Sequence, residues 1–144
     1  MATIEEIIIF IEKIQDINKA KIHPNSDLSS DLGIEGDDFF ELEEQFAKQF
    51  NVDMSGYLWY FHHGEEGGFH LGGIFFKPPY KRVSHIPVTP LVLLEAANHR
   101  KWPIKYPDHH LPAKRYDIYI NLYIAVLIIL LGALLALYNF LTRQ

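Results

Sequence analysis

An uncharged stretch near the C-terminus limits what this chain can fold into more than any other feature. Residues 118–141 read IYINLYIAVLIILLGALLALYNFL and contain no charged side chain in 24 positions. As an α-helix rising about 1.5 Å per residue, this stretch would be roughly 36 Å long, enough to cross a hydrocarbon core of about 30 Å. Because a soluble domain of this size would rarely bury a helix that is apolar on every face, the sequence predicts a transmembrane helix over 118–141.

Residues on either side of this stretch predict how it would lie in a bilayer. Tyrosines flank both ends, as in the aromatic belts of membrane proteins. Five Lys or Arg residues lie between residues 100 and 117, whereas Arg143 alone follows the stretch. This asymmetry predicts a single-pass, tail-anchored protein whose N-terminal domain faces the cytoplasm. Gly132 and Ala136 form a small-xxx-small pair, which predicts weak homodimerisation, and Asn121 and Asn139 are expected to reach the headgroups.

The rest of the chain divides into an acidic part and a basic part. Residues 1–55 contain 13 acidic and 4 basic side chains, whereas residues 56–117 contain 5 acidic and 8 basic side chains. We expect the acidic part to attract basic protein partners and the basic part to approach a lipid bilayer. Two ordinary solvated surfaces would give the same division, and this alternative stays open. The residues predicted to lie on the membrane surface are Lys101, Lys105, Lys114 and Arg115.

Capping residues and apolar spacing predict three helices before the basic part ends. Thr3 and Glu6 form a capping-box pattern, and isoleucines follow at helical spacing, so the first helix should run from about residue 4 to 17. A second helix should run over 37–51, because two aspartates open it and apolar side chains recur every three or four residues. A Thr-Pro pair predicts the start of a last soluble helix over 90–101.

The remaining segments predict an insertion and a linker. Residues 56–88 are rich in Gly and aromatic side chains, and we expect a short helix at 57–61 and a loop or small hairpin at 69–76. Residues 103–117 contain three prolines and should form an extended basic linker. The predicted fold class is therefore mainly α, with a small helical domain over 1–102 followed by the linker and the transmembrane helix.

One run of sequence resembles a known family. The segment DLGIEGDDFFELEEQFAKQFNVDM, at 31–54, is similar to the D-S-L motif and following helix of acyl carrier proteins. The resemblance extends over about residues 2–100, since TIEEIIIFIEKI and VTPLVLLEAA are similar to the first and last helices of that family. In this register Glu35 takes the place of the motif Asp, and Gly36 that of the serine that bears phosphopantetheine. The chain looks closest to a bacterial family of uncharacterised carrier-like proteins with this G-D-D variant.

The resemblance implies a carrier-like helical domain, here at the bacterial inner membrane, with its chemistry removed. Gly36 has no hydroxyl to bear the prosthetic arm, so the first hypothesis is a non-enzymatic, membrane-anchored interaction module. Carriers dock basic patches of partner enzymes through an acidic helix, although a simple solvated face would show the same residues. The residues implied to dock an unidentified protein are Glu35, Asp37, Asp38, Glu41 and Glu44.

Two other functions stay open. The chain could be a working acyl or peptidyl carrier modified at Ser29 or Ser30, although we expect neither loop residue to present its hydroxyl at the helix N-terminus. It could also be a small accessory subunit that contacts a larger membrane complex through its apolar helix. Loading of an arm distinguishes the carrier hypothesis from the others, because it adds mass to the chain.

Other kinds of site are not supported by the sequence. The segment HHGEEGGFH, at 62–70, matches no zinc-ligand spacing, so turn or packed histidines are expected rather than a metal site. Its glycines lack the ending of a phosphate-binding loop, and no Cys or serine elbow indicates a catalytic nucleophile. The aromatic residues nearby lack the basic charge of a nucleic-acid platform. We therefore predict no enzyme activity, no cofactor and no nucleic-acid partner.

Overall fold

The computed structural model describes residues 1–66 and 71–142, and within those ranges it contains five α-helices and no β-strand. The chain forms two compact units. We call the first, residues 1–66 and 83–109, the helical domain, and the described part of the second, residues 71–82 and 110–142, the C-terminal unit. The predicted fold class, mainly α with one long apolar C-terminal helix, is confirmed.

The first helix of the helical domain is fixed at its start by the predicted capping box. Helix α1 spans Ile4–Gln15, and the hydroxyl of Thr3 accepts from the backbone N–H of Glu6. The Glu6 carboxylate in turn accepts from the backbone N–H of Thr3 at 2.7 Å. The helix ends at Asp16, whose left-handed conformation (φ 50°) stops it two residues before the predicted end.

The second and fourth helices also begin or end as their capping residues predict. Helix α2 spans Gly36–Phe50 and ends at Asn51, which adopts a left-handed conformation (φ 52°). Helix α4 spans Pro90–His99, and the Thr89 hydroxyl accepts from a backbone N–H in its first turn. The segments that follow these two helices are joined, because the backbone N–H of Trp102 donates to the carbonyl of Asp53 at 3.0 Å.

These three helices bury one apolar core. The ring of Phe10 in α1 lies 5.9 Å from that of Phe46 and 5.5 Å from that of Phe50, both in α2. Loop residues Leu28 and Ile34 close the core between α1 and α2. Because the apolar stripe of α2 faces inward, its acidic side chains other than Glu43 lie on the outer face of the domain. The helix residues buried in this core are Ile7, Phe10, Ile11, Phe39, Leu42, Phe46, Leu93, Ala96 and Ala97.

The structure changes two elements of the predicted insertion. The short helix expected at 57–61 is a single 3-10 turn, Trp59–Phe61. The loop or hairpin expected at 69–76 is wrong for its described part, because Gly72–Phe75 forms one turn of α-helix, α3. The Phe76 N–H donates to the carbonyl of Gly72 at 2.8 Å, which closes that turn. Phe69 lies outside the described residues.

The predicted linker is not a spacer over its first half. Residues 103–109 have no regular secondary structure, as prolines predict, yet they belong to the helical domain. Ile104 and Tyr106 are partly buried and pack against the apolar core. The linker expectation therefore needs correction for this segment, which covers the domain rather than leaving it.

The C-terminal unit is built on one long helix. Helix α5 spans Tyr116–Thr142. Its 27 residues and its mean hydropathy of 2.7 make it long and apolar enough to cross a membrane, and its most apolar stretch is not buried. Helix α3 approaches it closely, since a Cβ on Gly72 would overlap the carbonyl oxygen of Asp117. The Gly72 N–H donates to the Asn121 side chain at 2.8 Å. Asn121 therefore supports α3, and its expected contact with the headgroups stays a prediction.

Candidate functional site

The N-terminus of α2 is covered by a segment from the insertion. The backbone N–H of Gly36 donates to the carbonyl of Gly64 at 3.3 Å, and the backbone N–H of Gly64 donates to the Glu35 carboxylate at 2.5 Å. This reciprocal pair fastens Gly64 over the first turn of the helix. We call residues 35–36 and 64–66 the closed N-terminus.

Gly36 is required at this place for two physical reasons. Its φ of 49° lies in the left-handed region, which costs a residue with a side chain about 1–2 kcal/mol. A Cβ built on Gly36 would also overlap the Glu66 side chain and lie 2.6 Å from the backbone nitrogen of Glu66. The position at which a carrier would hold its serine therefore has neither the conformation nor the space for one.

The hydroxyl of Ser29 lies next to the closed N-terminus but is not free there. It donates to the Glu35 carboxylate, which also accepts from the Gly64 N–H. Ser29 is buried, and its hydroxyl is held by Glu35. Ser30 is exposed, and its hydroxyl donates to the buried carboxylate of Asp27 at 2.8 Å. Glu35 thus points into the domain, unlike the other predicted docking residues.

The acidic face of α2 combines carboxylates with one exposed aromatic ring. Asp37, Glu41 and Glu44 recur at helical spacing and are exposed, and Asp38 is exposed beside them. Phe40 is 63% exposed and shares this face with Asp37 and Glu44, which lie one turn before and one turn after it. Glu44 is paired with Lys48 at 2.8 Å. We refer to Asp37, Asp38, Phe40, Glu41 and Glu44 as the acidic face.

Phe40 was missed from the sequence, although a local pattern could have identified it. Phe39 and Phe40 are adjacent, and only Phe39 fits the stripe that continues to Leu42 and Phe46. Phe39 is accordingly buried at 2% exposure. A large apolar residue that is off the buried stripe and mostly exposed is a candidate anchor for a partner.

The histidines next to the closed N-terminus are structural. Tyr106 is the centre of their network: its hydroxyl accepts from the Leu58 N–H at 3.1 Å and from the Trp102 indole N–H at 2.8 Å. With both lone pairs used, this hydroxyl donates to Nε2 of His62 at 2.7 Å. His62 then carries its proton on Nδ1, which donates to the Ile86 carbonyl at 2.7 Å.

This network keeps His62 neutral and orders the segment that covers α2. Burial lowers the pKa of His62 to about 4, and burial likewise lowers the pKa of His63. The His63 ring stacks on Phe39 at 4.3 Å between centroids. Among the described residues, no group of three or more His, Cys, Asp or Glu side chains could hold a metal ion. His70, named with the sequence candidates, lies outside the described residues.

One acidic residue of α2 differs from its neighbours. Glu43 is half-buried, and burial raises its pKa to about 7. Tyr57 and Tyr106 are near enough for this carboxylate to raise their own pKa values further beyond the effect of burial. Glu43 is therefore a titrating group on the inner side of α2, whereas the acidic face lies outside.

The residues predicted to lie on the membrane surface are divided between the two units. Lys101 and Lys105 are exposed in the helical domain, and Lys114 is exposed in the C-terminal unit. Arg115 is half-buried and forms an ion pair with Asp117 at 2.6 Å, so its charge is matched within the unit. On α5, the small residues Gly132 and Ala136 are exposed one turn apart.

Comparison with known proteins gives a family but no activity. The DUF1493 family, described as a protein of unknown function, matches residues 3–104. This match covers more than half of the chain, and the protein belongs to that family. No curated protein and no solved structure matches the chain.

Three Gly→Ala substitutions are expected to distinguish two costs at the closed N-terminus: that of a left-handed backbone and that of steric overlap. Gly56→Ala meets open space and should leave stability nearly unchanged, whereas Gly33→Ala, at φ 73° in open space, should cost about 1–2 kcal/mol. Gly36→Ala should cost clearly more, because the new Cβ also overlaps Glu66. Denaturation of the full chain in detergent, followed by tryptophan fluorescence, measures all three. Equal losses for Gly33→Ala and Gly36→Ala would contradict the closure.

Glu43 and His62 are expected to give opposite pH dependences of stability. The folded-state pKa of His62 is lowered from 6.5 to about 4, so the unfolded chain binds that proton first and stability falls as pH falls through this window. The pKa of Glu43 is raised from 4.5 to about 7, so the folded chain binds that proton first and stability rises as pH falls between these values.

Removing the Glu43 charge should therefore leave only the pH dependence of stability that comes from His62. At pH 8, Glu43→Gln is expected to be more stable than the unsubstituted protein by about 1–2 kcal/mol, allowing for solvent screening of a half-buried group. The difference should vanish at pH 4, and urea denaturation at both pH values measures it. Glu41→Gln, an exposed neighbour on the same helix, is the control and should change stability little at either pH. A difference that persists at pH 4 would refute the assignment.

Proposed function

We propose that this member of the DUF1493 family is a membrane-anchored, non-enzymatic interaction module with a carrier-like helical domain. In this proposal the acidic face of α2 docks a protein with a basic patch, and no prosthetic arm is attached at residue 36. The observation that carries the proposal is the closed N-terminus next to an exposed acidic face. A domain that needed an arm at this position would have to keep it open.

The composition of the acidic face supports a specific partner surface. Carboxylates at helical spacing attract Lys and Arg side chains over several ångströms and orient an approaching partner. They add little affinity by themselves, because exposed ion pairs are worth about 0–1 kcal/mol. An exposed aromatic ring among them supplies the apolar contact that dominates most interfaces. The expected partner surface therefore has basic residues around an apolar pocket that receives Phe40.

The closed N-terminus supports docking without cargo. A phosphopantetheine arm is joined to a serine hydroxyl, and residue 36 has neither the hydroxyl nor room for a side chain. Of the alternative hydroxyls, Ser29 is buried against Glu35, and Ser30 donates to Asp27. The resemblance to acyl carrier proteins then accounts for the helices and the acidic face, while the carrier chemistry is lost.

Helix α5 supports membrane anchoring, and we propose the bacterial inner membrane with the helical domain in the cytoplasm. Lys and Arg residues before α5 favour this orientation. An anchored module meets membrane-bound partners at a raised effective concentration, so a weak docking surface suffices. Weak homodimerisation through Gly132 and Ala136 belongs to the same proposal, because small residues let helices approach closely in a bilayer.

Charge reversal on the acidic face tests the docking directly. The full chain carrying Asp38→Lys and Glu41→Lys, solubilised in detergent and used as bait, is expected to lose the partners that the unsubstituted chain retains. Phe40→Ala is expected to lose the same partners without any change in charge, since its ring is exposed and contributes little to the core. Quantitative mass spectrometry of the retained proteins measures both effects.

A matched control separates docking from net charge. Glu95→Lys with Asp108→Lys changes the charge of the chain by the same amount at exposed sites outside α2. The control is expected to keep the partners. Retention of the same proteins by the acidic-face variants, or equal loss by the control, would overturn the docking proposal.

A further inference from the structure

The C-terminal unit contains a cavity at the start of α5 that the proposed function does not use. Its volume is about 310 Å³, at the lower end of the roughly 300–1,000 Å³ of small-ligand pockets. Every lining residue belongs to the C-terminal unit. Its basic lining residues are Lys77, Arg82, Lys114 and Arg115.

The charges of this cavity favour an anion. Of the described residues that line it, Asp117 alone is acidic, and its pairing with Arg115 offsets one of the four positive charges. The guanidinium of Arg82 is oriented by a hydrogen bond from its Nε to the Lys77 carbonyl at 2.6 Å. Lys and Arg side chains around one cavity can pair with phosphate oxygens.

Apolar atoms contribute most of the cavity surface. Phe76, Pro79, Leu111, Pro112 and Tyr116 complete the lining, and the Phe76 and Tyr116 rings lie 5.5 Å apart. A small inorganic anion makes no use of such a wall. A ligand with a charged group and an adjoining apolar part uses both sides at once.

The position of the cavity along α5 indicates where that apolar part would go. The cavity reaches Tyr116 and Asp117, and the uncharged run begins at Ile118, only about 1.5 Å farther along the helix axis. The headgroup region adds about 5–7 Å on each side of a hydrocarbon core. A cavity in the first turn of a spanning helix therefore lies at the level of lipid phosphates.

Helix α3 gives independent support for contact with lipid. Ile74 and Phe75 are each 71% exposed, although Gly72 is held against α5 through Asn121. Asn121 lies five residues into α5, about 7.5 Å along its axis. Two large apolar side chains beside the first turns of an apolar helix are stabilised by burial in acyl chains rather than in water.

We propose that this cavity binds the phosphate headgroup of an anionic phospholipid. The phosphate oxygens accept from Lys77, Arg82 and Lys114, while the glycerol and first acyl carbons contact the apolar wall. This inference rests on the proposed insertion of α5 in a membrane. It makes the C-terminal unit a selector of lipid charge, separate from the acidic face that docks protein.

Native mass spectrometry of the full chain tests the site. The protein is released from detergent micelles containing equal amounts of phosphatidylglycerol and phosphatidylcholine, and the lipid adducts are counted. The unsubstituted chain is expected to retain phosphatidylglycerol preferentially. Lys77→Gln with Lys114→Gln should reduce this preference about tenfold, since two of the basic lining residues are lost. Lys21→Gln with Lys81→Gln removes the same charge at exposed sites outside the cavity and should preserve the preference.

Each alternative outcome has a distinct meaning. Equal retention of the two lipids, or equal loss of preference in both double variants, would overturn the site in favour of diffuse surface charge. Displacement of phosphatidylglycerol by millimolar inorganic phosphate would overturn it in favour of a free-phosphate site. Extraction of the chain from membranes by alkaline carbonate would overturn both this inference and the proposed anchor, whereas retention with no lipid preference overturns only the inference.

Discussion

The hydrogen bonds that join Gly64 to Glu35 and Gly36 close the N-terminus of α2, and the account of the helical domain depends on them. They hold an insertion segment over the N-terminus of α2, where an unprotected helix would present free N–H donors and a positive dipole end. They also require a glycine, since residue 36 is left-handed and faces the Glu66 backbone. The outer face of α2 stays exposed beside this closed end, and we propose it as the docking surface because it is acidic and carries Phe40.

The closure depends on the aromatic network beside it. His63 stacks on Phe39, and its neighbour His62 is tied to Tyr106, which also accepts from Trp102 after α4. The segment that carries Tyr106 thus helps to hold the segment that covers α2. Because His62 is buried and neutral in this network, protonating it opposes folding of the same region. The covering segment is therefore part of the domain core, because His62 and His63 are buried there.

Much of the fold can be predicted because it depends on interactions between residues close together in sequence. The rest depends on contacts between residues that are far apart in sequence. Capping pairs such as Thr3 with Glu6 are separated by a single turn, so their pattern is visible in sequence. The closure instead joins Gly64 to Glu35, 29 residues apart, and Tyr106 meets His62 across 44 residues. No local pattern encodes such pairs. The absence of a hydroxyl at Gly36 is visible in sequence, whereas its left-handed conformation and its close approach to Glu66 are not.

Intact-mass measurement shows whether the chain carries a prosthetic arm, which the proposed function excludes. The full chain is produced together with a phosphopantetheinyl transferase, and an acyl carrier protein with an intact D-S-L motif serves as the positive control. Because residue 36 is closed and Ser29 is buried against Glu35, the chain is expected to keep its unmodified mass while the control gains one arm. A gain equal to the phosphopantetheine arm on this chain would contradict the account and identify a working carrier.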